Sequence, residues 1–225
     1  MNVANFVAQA KDIHPLTGSD ARLREAFELR LNQLAALLLL LLLSPLFLIV
    51  SFLIWRRDGP PIFFAHYRVG RDGKLFPCLK FRSMLRESEK ALAEHLAANP
   101  AAQAEWDRDQ KLRNDPRITP IGNFLRKSSL DELPQLLNVL RGEMSLVGPR
   151  PVTVPELSRY GRVRWHYLSV RPGITGLWQV SGRNNTTYEE RVEFDRQYVT
   201  QRSLLGDVGI LFKTVRVVLL KEGAL

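Results

Sequence analysis

Only one cysteine, Cys78, occurs in the 225 residues. That excludes an internal disulfide framework, a cysteine-rich zinc site and Fe–S ligation, and it fits a reducing compartment. The four histidines, His14, His66, His95 and His166, show no metal-ligand spacing. The sequence also lacks GxxxxGK[ST], a GxGxxG after a strand, HExxH and GxSxG, so nothing signals P-loop, Rossmann, zincin or serine-hydrolase chemistry. Acidic residues are in deficit, with 23 Asp and Glu against 32 Lys and Arg for a net charge of +9. Such a surplus favours polyanions, phosphates or an anionic membrane without choosing among them. No nucleic-acid recognition motif accompanies it, so nucleic acid is not an expected partner. At 45% hydrophobic and 24% charged residues the chain is neither disordered nor fibrous.

One stretch lacks charge entirely. Residues 34–55, LAALLLLLLLSPLFLIVSFLIW, would make a helix about 33 Å long, comparable with a hydrocarbon core of about 30 Å. The run starts too late and is too long for a cleaved signal peptide. In its middle, Pro45 removes an N–H and crowds the carbonyl of residue 41, so a bend or break is expected at Ser44-Pro45. Each half then covers about 15 Å. Arg22, Arg24 and Arg30 precede the run, and Arg56, Arg57, Arg68 and Arg71 follow it, pulling both ends toward the cytosol. A re-entrant hairpin satisfies both flanks; a proline-kinked single span is the alternative. Within Asp20 to Leu34, Leu23, Ala26, Phe27, Leu31 and Leu34 share one helical face, opposite Arg24, Glu25 and Glu28.

Beyond residue 56 the patterning predicts a mainly α body with a small β-hairpin. The hairpin pairs residues 62–67 with 75–79 around Gly70-Arg71-Asp72-Gly73 and delivers Lys80-Phe81-Arg82-Ser83-Met84. Helices are expected over Leu85–Asn99, Ala101–Arg113, Asp131–Arg141 with Gly142 as its C′ residue, and Thr187–Gln201, with a loop-rich stretch between Pro151 and Thr187. The segment Leu204–Lys221 carries an apolar stripe of Leu204, Val208, Leu211, Phe212, Val215 and Leu219, which suits either a core or a membrane interface. The expected organisation is a tail and amphipathic helix over 1–33, the membrane helix over 34–55 and a basic cytosolic body over 56–225.

The acidic pair Asp131-Glu132 follows basic Arg126 and Lys127, with Pro134 in the first turn of the next helix. A carboxylate there meets the positive end of the helix dipole, which favours the ionised form needed by a nucleophile or metal ligand. Ser129-Leu130-Asp131-Glu132 also reads as a capping box. Lys80, Arg82, Arg117, Arg126, Arg150 and Arg171 lie near glycine or proline turns, where they can converge on phosphate, although a solvated surface accounts for each singly. Asp107-Arg108-Asp109 matches a DxD pattern, but inside a polar helix it reads as a solvated face.

Ser44-Pro45, KFRSM at 80–84, RKSSLDELPQLLNVLRGEMSLVGPRP at 126–151 and RPGITGLWQVSGRN at 171–184 resemble the bacterial sugar transferases, the monotopic polyprenyl-phosphate phosphoglycosyl transferases. The similarity covers roughly residues 25–220 and is strongest to the short exopolysaccharide-initiating members that use galactose or glucose. Larger members carry further N-terminal helices, for which this sequence has no expected room. The resemblance implies transfer of hexose-1-phosphate from a UDP-hexose to undecaprenyl phosphate, with release of UMP and use of Mg²⁺. Asp131 then corresponds to a nucleophile and Glu132 to its partner, one or both on the metal. Arg126 corresponds to a phosphate-binding arginine, Pro149-Arg150-Pro151 to a nucleotide motif and Ser44-Pro45 to the break of a re-entrant helix. The implied setting is the inner membrane of a bacterium, facing the cytosol on membrane lipid; a homodimer is compatible with it. A scaffold that recruits anionic lipid without catalysis is the competing class.

Overall fold

A computed structural model describes residues 19–109, 112–182 and 186–220. Most of the 1–33 tail, Arg183 and Asn184 of the 171–184 motif, and Lys221 lie outside the described residues, as do the side chains of Arg22 and Asp109. The first element is a single helix, α1 (Ser19–Asp58). It joins the amphipathic and apolar segments and continues through Pro45, so one helix stands where the sequence led us to expect two halves. The carbonyl of Leu41, which proline leaves without its N–H donor, accepts from the Ser44 hydroxyl at 2.8 Å.

The hairpin forms as expected. Strands β1 (Phe63–Val69) and β2 (Leu75–Phe81) pair antiparallel from Phe63↔Phe81 to Val69↔Leu75. Their turn places Asp72 at φ 55° and Gly73 at φ 74°. Helices α2 (Ser88–Ala98) and α3 (Pro100–Asp109) pack on each other, and α4 (Pro120–Lys127) follows, with the Thr119 hydroxyl accepting from Gly122 N–H at its N-cap. Gly122 is obligatory, since a Cβ there would sit 1.9 Å from the Ser83 carbonyl oxygen. A 3₁₀ turn over Leu130–Glu132 leads into α5 (Gln135–Leu140), which Gly142 closes at φ 74°.

The sequence promises loop between Pro151 and Thr187 and names no element between Gly142 and Pro149. The chain instead forms β3 (Ser145–Val147), α6 (Val154–Ser158), α7 (Arg164–Leu168), β4 (Gly173–Thr175) and α8 (Leu177–Ser181), with β3 and β4 parallel. Elements of three to five residues are too short to show periodicity. Two longer helices finish the chain: α9 (Tyr188–Gln201), whose Thr187–Glu190 capping box is complete, and α10 (Leu204–Leu220).

One face of α1 lies on the body. Ala36 packs with Phe76, Cys78, Leu136, Val139 and Met144, while Val50 and Ile54 pack with Phe81 and Leu125. The face expected to be apolar points outward, with Leu23 70% and Phe27 59% exposed, while Glu25 and Glu28 turn inward to arginines of the body. The stripe on α10 is likewise exposed at Leu204, Val208, Phe212 and Val215, whereas Ile210 and Val217 are buried. Exposed apolar side chains along both helices, with Glu25 and Glu28 turned inward at the start of α1, are unlike the faces of a soluble helix and suit a bilayer surface.

Asn138, fully buried on α5, fixes β2 to that helix. Its Oδ1 accepts from Leu79 N–H at 3.0 Å, and its Nδ2 donates to the Pro77 carbonyl at 2.8 Å and to Glu143 at 2.6 Å. Asn138→Ala strands buried backbone groups and is expected to cost about 3 kcal/mol, a fall of roughly 6–12 °C in Tm, measurable by thermal denaturation in detergent.

A second buried polar pair makes stability depend on pH. The Tyr160 hydroxyl donates to Asp195 at 2.6 Å, and burial pushes the Asp195 carboxyl up to about 6 against the opposing Tyr160 hydrogen bond and Arg191 charge. A raised carboxyl favours the fold below its unfolded pKa near 4, and that contribution is lost as pH climbs through about 6. Asp195→Asn should match wild type at pH 4 and exceed it by about 3 kcal/mol at pH 8; parallel Tm–pH curves would contradict this.

Candidate active site

The strand alternation of β2 puts Lys80 on the same side as Phe76 and Cys78, the side that faces the body. Opposite it, Leu130 and Leu133 pack into the cluster around Val50 and Ile54, fixing the turn that carries Asp131 and Glu132 between them. Lys80 Nζ lies 3.3 Å from Asp131 Oδ2 and 2.8 Å from Glu132 Oε1. Arg150 reaches Glu132 Oε1 at 3.1 Å. Ser129 has φ 56° and makes no capping hydrogen bond, so the capping-box alternative for this stretch does not hold.

Asp131 does not sit at the positive end of an α-helix, as the sequence led us to expect. The pair occupies a three-residue 3₁₀ turn, and burial pushes the Asp131 carboxyl up, opposed by Lys80, reinforced by the charge of Glu132 and opposed again by Arg126. Glu132 is held well below the usual carboxylate range, because Arg150 and Lys80 outweigh its burial. Two adjacent carboxylates are thus pushed apart, one firmly ionised and the other closer to neutrality.

The sequence-derived basic residues divide into two groups. Lys80 and Arg150 touch the acidic pair, and Arg126, at the end of α4, acts on Asp131 through its charge. Pro149 and Pro151 are buried on either side of Arg150, and the Pro149 carbonyl accepts from Gly173 N–H, tying this loop to β4. Three arginines are engaged elsewhere. Arg82 is buried and donates to the Asp58 and Gly59 carbonyls at 2.7 and 2.6 Å, at the C-terminal end of α1. Arg117 pairs with Asp115 at 2.6 Å and lies over the Trp106 ring. Arg171 pairs with Glu25 at 3.3 Å and donates to the Gly142 carbonyl at 2.9 Å.

Sequence reasoning passed over Asp58, whose carboxylate accepts from the Thr119 hydroxyl at 2.8 Å beside the Arg82 contacts. The only local hint was a carboxylate directly after the apolar run and its two arginines. Among the described residues no group of three His, Cys, Asp or Glu side chains is placed to hold a metal. Two hard carboxylates do suit Mg²⁺, which typically keeps waters and shares substrate phosphate oxygens rather than sitting in an all-protein cage.

Comparison with known proteins matches residues 23–221 to the bacterial sugar transferase family model. Over 189 residues the chain is 55% identical to the undecaprenyl-phosphate galactose phosphotransferase of Salmonella typhimurium, covering 84% of this chain and 40% of that protein. It is 53% identical over 191 residues to the exopolysaccharide production protein ExoY of Sinorhizobium fredii, covering 85% and 84%. It is 39% identical over 210 residues to the UDP-glucose:undecaprenyl-phosphate glucose-1-phosphate transferase of Escherichia coli, covering 89% and 41%. The chain therefore spans about two fifths of the Salmonella and Escherichia proteins and most of ExoY.

Proposed function

The chain belongs to the bacterial sugar transferase family, and from that premise we propose that it transfers hexose-1-phosphate from a UDP-hexose to undecaprenyl phosphate, releasing UMP, as the first membrane step of exopolysaccharide assembly. The observation that carries the reading is the buried Asp131 beside Glu132, with Lys80 and Arg150 on them. An Asp131 oxygen attacks the β-phosphorus of the donor, the bond from that phosphorus to the bridging oxygen breaks, and UMP leaves with the electron pair. The acyl phosphate so formed is attacked by an oxygen of the lipid phosphate, which restores the carboxylate and leaves the hexose on a lipid diphosphate. Lys80 and Arg150 offset the charge that makes attack on an anionic phosphorus slow, and Arg126 adds positive potential at Asp131. Asp131 and Glu132 would hold Mg²⁺, which when bound neutralises charge on the diphosphate. Galactose is the favoured hexose and glucose the second, in keeping with the relatives named above.

The same reading makes the protein monotopic on the cytosolic face of the inner membrane. Support comes from α1, which contacts the body from Ala36 to Ile54, so a bilayer can meet only its outer side, and from arginines at both ends of the apolar run. The testing experiment is UMP release by the purified chain with Mg²⁺ and undecaprenyl phosphate across a panel of UDP-sugars. Sustained release with UDP-galactose or UDP-glucose is expected; lipid binding without release would favour the scaffold.

A further inference from the structure

A cavity of about 410 Å³ opens between the first turns of α1, strand β3 and the start of α10. None of Lys80, Arg126, Asp131, Glu132 or Arg150 lines it, so it is separate from the candidate active site. Four arginines surround it, Arg24, Arg71, Arg171 and Arg202, against three carboxylates, Glu25, Glu28 and Asp207. The ion pairs fix the guanidiniums in place without exhausting them. Glu25 is shared by Arg71 and Arg171, and Glu28 is shared by Arg24 and Arg202, each at 2.9 Å. Each guanidinium has five N–H donors. Arg71 Nε, 3.7 Å from Asp72, is buried with no hydrogen-bond partner.

The third carboxylate is engaged within the protein. Burial raises the pKa of Asp207, and its Oδ1 already accepts from the Tyr198 hydroxyl at 3.0 Å. Arg71 and Arg171 are both held below their ordinary pKa, first by burial; Asp72 opposes this and the surrounding arginines add to it. Glu25, Glu28 and Asp72 offset part of this crowded positive charge, and the guanidinium N–H donors they leave over suit an anion.

The surroundings of the cavity decide which anion. Leu204 lines it and is 44% exposed, Leu205 beside it is 85% exposed, and Leu23 and Phe27 on α1 flank Arg24 and are exposed as well. These belong to the two outward apolar faces of α1 and α10. With those faces on a bilayer, an arginine-lined cavity between them sits at headgroup depth, where a phosphodiester meets cations and its acyl chains meet leucine and phenylalanine.

We propose that this cavity binds the phosphate headgroup of an anionic membrane phospholipid as a site apart from the one where sugar is transferred. The proposal rests on the membrane-facing reading of α1 and α10 but not on the identity of the reaction. A headgroup held there by Arg24 of α1 and by Arg71, Arg171 and Arg202 of the body ties the start of α1 to the body, setting the depth at which the body sits on the membrane.

The test uses the full chain purified in detergent, titrated with phosphatidylglycerol, with phosphatidylcholine and with inorganic phosphate, and read by native mass spectrometry and thermal shift. Three variants are compared: Arg24→Gln alone, whose side chain is mostly exposed, the pair Arg24→Gln with Arg202→Gln, and a charge-matched control, Lys90→Gln with Arg162→Gln. One phosphatidylglycerol per chain is expected, weakened about threefold by the single substitution and tenfold or more by the pair, with the control close to wild type. Undecaprenyl phosphate should not displace it, and the paired variant should keep its KM for undecaprenyl phosphate within about twofold. Equal loss in the control, or no loss in either arginine variant, overturns the site. Inorganic phosphate binding as tightly as phosphatidylglycerol makes it a free-anion site, and displacement by undecaprenyl phosphate makes it part of the acceptor site; either result overturns the lipid assignment. Because binding is read without a sugar donor, an inactive transferase leaves this test intact.

Discussion

Asp131→Asn is expected to abolish turnover, lowering UMP release by at least about 10⁴-fold, because an amide cannot form the acyl phosphate through which both half-reactions pass. The same change should leave the fold undisturbed. Burial already disfavours the ionised form of Asp131, Lys80 keeps its shorter contact to Glu132 at 2.8 Å, and the neighbouring Leu130 and Leu133 remain packed. A variant with native Tm and no detectable UMP release therefore isolates chemistry from stability. Activity within tenfold of wild type would remove Asp131 from the nucleophile's role and would turn attention to Glu132.

Lys80→Met carries the second-largest effect, a loss of roughly 10²–10³-fold in kcat/KM. Among the described residues, Lys80 is the one cation hydrogen-bonded to both carboxylates. Without it, burial and the charge of Glu132 both push Asp131 toward its protonated, non-nucleophilic form, opposed by the charges of Arg126 and Arg150. Arg150 still holds Glu132 at 3.1 Å, so the partner carboxylate stays ionised while the anion of the attacking one loses its closest support. Lys80→Arg preserves charge but not the compact geometry of an ammonium between two carboxylates, and should recover part of the rate. If Met and Arg behave alike and both stay within threefold of wild type, Lys80 is a structural cation only.

Much of this was legible from sequence. The hairpin, the C′ role of Gly142 and the helix ending at Gln201 are local devices, each specified within a short stretch, and all appear. The acidic pair and the basic residues were visible as residue types. Their assortment was not, because it depends on contacts between distant positions: Lys80 with Asp131, Arg82 with Asp58, and Arg171 with Glu25. Asn138 drew no notice in the sequence, since a buried amide joining β2 to α5 looks no different from a surface one. The amphipathic pattern of α1 was read correctly as two faces, but only the packing tells which one meets protein. Pro45 shows the limit of a local rule. Its lost hydrogen bond is compensated by the preceding serine hydroxyl, so the helix continues.

A covalent sugar-phosphate on Asp131 underlies both half-reactions, and rapid mixing of the purified chain with UDP-galactose, Mg²⁺ and no lipid acceptor would trap it. The account predicts a burst of about one UMP per active chain, with a hexose-phosphate adduct on the peptide containing Asp131 that is discharged on adding undecaprenyl phosphate and absent from Asp131→Asn. Release of UMP only when the lipid acceptor is present, with no adduct at any time, would contradict it and leave direct transfer between the two substrates in its place.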